Sequence, residues 1–72
     1  MANQPAAKFR IGYLTATIWA NDGNNKTFYS VDLSRTYKDG DEYKETSSLG
    51  HADIMNAVRV LQRAEQWIAE QA

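Results

Sequence analysis

The spacing of apolar residues changes once along this chain, and that change limits what it can fold into. As far as Thr46 the apolar residues recur at every second position. From Leu49 they recur at every third or fourth. Strands therefore come first and one long helix comes last, which predicts an α+β fold of four antiparallel strands followed by a C-terminal α-helix, ββββα. The sheet is expected over residues 8–48 and the helix over 50–70, in one domain spanning 8–72.

Each strand can be phased from its own residues. Phe9 and Ile11 point one way, Lys8 and Arg10 the other. Leu14, Ala16 and Ile18 alternate with Thr15, Thr17 and Trp19. Gly12-Tyr13 between them suits a two-residue hairpin that pairs Ile11 with Leu14, and a bulge at Gly12 would keep the same inside set. Asn21 to Asn25 (NDGNN) is a loop by composition. A six-residue loop, Asn21 to Lys26, keeps Tyr29, Val31 and Leu33 on the inner side and sets Trp19 beside Phe28 on the outer one. Lys38-Asp39-Gly40 fits a three-residue hairpin. That hairpin turns Tyr43 toward the side of Leu33 and sends Lys44 and Thr46 to the outer face.

In the last segment Ile54, Ala57, Val58, Leu61, Ala64 and Ile68 recur at helical spacing. Ser48 or Gly50 suits the N-cap, and Asp53 favours the first turn through the backbone dipole. The apolar arc also takes in Val60 and Trp67 and spans roughly half the circumference. A helix that only covers a sheet needs less. Val60, Ala64 and Trp67 are therefore expected at an interface with a second copy. The competing reading folds Trp67 over the sheet edge.

The outer face of the sheet is where a function is sought. It is expected to carry Lys8, Arg10, Thr15, Thr17, Trp19, Phe28, Ser30, Ser34 and Lys44, with Asp32 among them. Neighbouring aromatics, hydroxyls and bases suit single-stranded nucleic acid: bases stack on rings, and cations and hydroxyls meet phosphates. The bland reading is that Thr, Trp and Phe are good strand formers and Ser keeps the face wet.

Other chemistry finds little support. With 72 residues, no Cys and one His, the chain has no disulfide or thiolate site, and a zinc site would need several carboxylates. His51, near the helix start, reads as a surface or capping residue rather than a general base. No base stands beside the serines in sequence. Asp39, Asp41 and Glu42 lack the calcium-loop pattern, and NDGNN lacks the setting of a phosphate loop. The net charge of −1 gives no overall pull toward nucleic acid or anionic lipid. No apolar run is long enough to span a bilayer, and Met1 to Ala7 has no apolar core of a signal peptide. These residues are expected to form a flexible tail on a soluble, cytoplasmic protein that uses no cofactor or metal.

The strand–helix order over residues 8–72 is similar to single-stranded-DNA-binding modules of the Whirly and transcriptional-coactivator type. In that group, helices of two subunits pack together and curved sheets bind single strands. The resemblance implies Arg10, Trp19, Phe28 and Lys44 as contact residues. The phrases RIGYLTATIW, FYSVDLSRTYKDG and EYKETSS also resemble a group of small bacterial proteins, a likeness that brings no activity with it. The expected function is a non-catalytic binding module for single-stranded DNA or RNA through the open sheet face, with a regulatory role open, working as a homodimer. The alternative is a protein–protein assembly module using the aromatic face or the helix edge; a small enzyme ranks third.

Overall fold

The computed structural model describes residues 4–23 and 26–71. Four antiparallel strands form one sheet in chain order: β1 (Ala7–Ile11), β2 (Leu14–Gly23), β3 (Lys26–Asp39) and β4 (Glu42–Thr46). A single 3-10 turn, His51–Asp53, leads into the helix α1 (Ile54–Gln71). The ββββα layout is the one the change of period predicts. The sheet starts at Ala7, and the Ala6 N–H already donates to the Ile18 carbonyl at 2.7 Å. The expected tail therefore shortens at its inner end, and its first part, residues 1–3, lies outside the described residues.

The first hairpin has the predicted register. Ile11 faces Leu14 and Phe9 faces Ala16 across the Gly12-Tyr13 turn. Gly12 has φ +60, a conformation that costs a residue with a Cβ about 1–2 kcal/mol.

The second hairpin corrects the expected register. Trp19 faces Ser30, and Phe28 faces Asn21. The ladder continues to Gly23 opposite Lys26, so the expected six-residue loop is mostly strand, and the rest of it, residues 24–25, lies outside the described residues. Because side chains alternate with period two, this even shift leaves every residue on its predicted face.

The third hairpin corrects more. Lys38 pairs with Tyr43 and Asp39 with Glu42, so the turn is Gly40-Asp41, with Gly40 at φ +65. The shift from the expected pairing is odd, and it reverses β4. Tyr43 lies on the outer face beside Lys38. Lys44 and Thr46 lie on the inner side, opposite Tyr37 and Arg35. Lys44 therefore leaves the predicted outer set, and its Nζ sits 3.0 Å from Asp39 Oδ2.

The core is Leu14, Ala16 and Ile18 of β2 against Ala57, Val60 and Ala64 of α1. The helix crosses β1 and β2 and reaches only part of β3. Val60 is fully buried and Ala64 nearly so, while Trp67 sets its ring edge-on to Tyr29 at 5.6 Å. The three residues expected at a dimer interface thus pack on the chain's own sheet. The apolar arc is wide enough to offer two faces, and the sheet takes the one whose small Ala57 and Ala64 allow close approach. Ile54, Val58 and Leu61, expected to face the sheet, are exposed instead. The helix start is fixed by Asp53, whose Oδ2 accepts the Gly50 N–H at 3.0 Å and lies 2.8 Å from Arg35 Nε.

Candidate functional site

Among the described residues no helix or strand covers the outer face of the sheet, which holds most of the residues predicted for it. Strand pairing sets Lys8 beside Thr17 and Asp32, and Arg10 beside Thr15 and Ser34. Lys26, Thr36, Lys38, Tyr43 and Glu45 share this face by the same alternation. Its cations are Lys8, Arg10, Lys26 and Lys38, against the acids Asp32 and Glu45. The chain is slightly acidic overall, but this side carries an excess of positive charge.

Several predicted contact groups are already engaged. The Trp19 indole N–H donates to Asp32 Oδ2 at 2.9 Å. The Asn21 side-chain amide donates to Ser30 Oγ at 3.2 Å, and Ser34 Oγ donates to Glu45 Oε1 at 3.2 Å. Thr15 is only 8% exposed and offers a ligand little surface. Thr17 is half-buried.

Trp19 and Phe28 share the outer face, but diagonally rather than side by side. The indole leans toward Asp32. The Phe28 ring lies over Gly23, where an added Cβ would fall 2.4 Å from Cε2. This is the usual way an aromatic covers the bare backbone of a strand glycine. The expected pair of adjacent rings therefore separates into two rings with different neighbours.

The opposite end of the sheet gathers groups from both faces that sequence reasoning did not assemble: Arg10, Lys38 and Tyr43 from the outer face, Arg35 and Tyr37 from the inner one. β3 runs past the end of β2, because pairing stops at Leu14 opposite Arg35 while β3 continues to Asp39. The β3–β4 hairpin therefore projects beyond the β1–β2 turn and leaves a notch. A cavity of about 380 Å³ lies there, lined by Arg10, Tyr13, Arg35, Tyr37, Lys38 and Tyr43 together with Thr36. Tyr43 is 73% exposed and Tyr13 62%. Among the described residues no carboxylate lines it. The signal available in the sequence was KDGD, which admits a two-residue turn as readily as a three-residue one.

Among the described residues no group of three or more His, Cys, Asp or Glu is placed to hold a metal ion. None of their helices is long and apolar enough to cross a membrane. His51 is exposed in the 3-10 turn. No protein-family model matches the chain, and no curated protein or solved structure matches it either.

Proposed function

We propose that this chain is a non-catalytic binding module for single-stranded nucleic acid, which lies along the outer face of the sheet. The carrying observation is the face that no described helix or strand covers: four cations against two acids, with Trp19, Phe28 and Tyr43 distributed along it. Stacked bases contribute about 1–3 kcal/mol each, and lysine and arginine meet the phosphates between them. Asp32 opposes a phosphate, and its hydrogen bond from the Trp19 indole takes up part of its accepting capacity. The ββββα order resembles that of the Whirly and coactivator modules.

The contact set differs from the sequence-derived one. Lys8, Arg10, Thr15, Thr17, Trp19, Phe28, Ser30 and Ser34 remain on the face, Thr15 nearly buried in it; Lys38 and Tyr43 take the place of Lys44. The test is a titration with a short oligothymidylate at low salt, followed by tryptophan emission in a Trp67→Phe background. Quenching of Trp19 is expected. With at most four phosphates neutralised, the log–log salt slope should be no steeper than about −3. Unchanged emission and no binding by equilibrium dialysis would remove the proposal.

A second reading rests on a different observation. Ile54, Val58 and Leu61 recur at four- and three-residue spacing on the helix flank and are exposed, and Val31 on the inner side of β3 is partly exposed. A second copy packed on this row would bury it, and a domain of this size gains from such burial. Sedimentation equilibrium tests it. A dimer that Leu61→Glu dissociates supports this reading, and a monomer at high micromolar concentration ends it.

A further inference from the structure

The notch between the β1–β2 turn and the projecting β3–β4 hairpin combines three tyrosines, two arginines and a lysine, with no acid among the described residues that line it. Its volume, about 380 Å³, falls at the low end of small-ligand pockets. Arg35 contributes little charge, because Asp53 lies 2.8 Å from its Nε. Arg10 and Lys38 are different. Arg10 Nε donates to the Gly12 carbonyl at 3.1 Å, which uses one of the five guanidinium donors and leaves the terminal nitrogens for a ligand. Lys38 is exposed.

The backbone adds a donor. The Thr36 N–H bonds the Tyr13 carbonyl at 2.9 Å, so Thr36 directs its backbone groups toward β2. In an antiparallel strand every second residue does the same. Lys38 therefore aims its N–H and C=O at the space where β2 has ended. An exposed ring on each side, Tyr13 and Tyr43, flanks that space.

We propose that this notch binds a nucleotide: a base stacks on Tyr43 or Tyr13, and its phosphate is met by Arg10, the Lys38 ammonium and the Lys38 N–H. One ring face, one guanidinium and one ammonium match a planar base carrying a phosphate, and neither a bare nucleoside nor inorganic phosphate uses all of them. The nucleotide can be free, or it can be the 5′-phosphorylated end of a strand lying on the sheet. The second case rests on the function proposed above; the first does not.

Two titrations of the full chain separate these cases. In the first, AMP, adenosine and inorganic phosphate are added while backbone NMR shifts are followed. AMP is expected to move Tyr13, Lys38 and Tyr43, and to bind at least about tenfold more tightly than either half, because stacking and charge-assisted hydrogen bonds act together. The second compares oligothymidylates with a 5′-phosphate and a 5′-hydroxyl. The phosphorylated strand should bind several-fold more tightly, and Lys38→Gln and Tyr43→Ala, both at exposed positions, should abolish that preference and the AMP shifts while leaving the thermal melt unchanged. AMP binding without any oligomer binding keeps the notch and removes the sheet reading. Oligomer binding with no AMP shifts in the notch and no 5′-phosphate preference keeps the sheet and overturns the notch. Inorganic phosphate binding as well as AMP removes the base contact and with it the nucleotide proposal.

Discussion

The two ends of the sheet are built from similar residues and treat them differently. At the β2–β3 end, Trp19, Phe28, Asn21, Ser30 and Asp32 satisfy one another: the indole bonds the carboxylate, the amide bonds the hydroxyl, and the phenyl ring covers a glycine. At the β3–β4 end, Tyr13 and Tyr43 project into solvent and the notch they flank has cations and no acid among the described residues that line it. Binding a ligand costs less where polar groups have no partner to give up. The difference teaches that residue type alone does not mark a binding surface; the unspent donors and ring faces do.

Both ends stand on one core, and the largest expected effect tests this. Leu14 is fully buried between α1 and the sheet. Leu14→Ala should cost about 2–5 kcal/mol. A core of this size supplies only about 3–5 kcal/mol, so most of the chain should unfold. The NMR signals of Phe28 and Tyr43 should collapse together on heating. If Phe28 keeps its dispersed signals after Tyr43 has lost them, the ends are independent units and comparing them as one surface is mistaken.

Next come the turns that shape the notch. Gly12→Ala meets two obstacles, a φ of +60 and a Cβ 2.8 Å from Asn56 Nδ2. Gly40→Ala meets only the first, since nothing lies within 4 Å of its added Cβ. Losses of about 2 and about 1 kcal/mol are expected from urea melts, in that order. Equal losses would show that the Asn56 side chain turns aside from the added methyl at no cost. At the other end, the atom met by a Gly23→Ala methyl is the movable Phe28 ring, so the ring should swing away with a loss under about 1 kcal/mol.

How much of this could be read in the sequence depended on parity. The Gly12-Tyr13 turn admits one tight pairing, and its register follows directly. The NDGNN segment admits several even loop lengths. All of them give the same faces, so the inner set was legible while the neighbour of Trp19 was not. KDGD admits both an odd and an even loop, and the choice decides whether Tyr43 or Lys44 joins the outer face. The helix was legible as an element, but its apolar arc fits the sheet in two rotations. The burial of Val60 and Ala64 was settled by packing that no spacing rule contains. The notch was illegible for a plain reason: it exists because β3 outruns β2, a difference in strand length set by both hairpin registers at once.

The smallest expected effect concerns Asp32, the acid in the middle of the face. Asp32→Asn keeps an oxygen for the Trp19 indole but removes a charge that repels phosphate. The outer face then has four cations against one acid. An exposed charge in water changes affinity modestly, so oligothymidylate should bind about two- to threefold more tightly at low salt, with the gain vanishing in high salt. The free-nucleotide affinity of the notch should not change, since Asp32 does not line it. A gain in AMP binding as large as the gain in oligomer binding would mean that the two ends share one electrostatic field, and the contrast between a self-satisfied end and an open one would no longer explain where ligands bind.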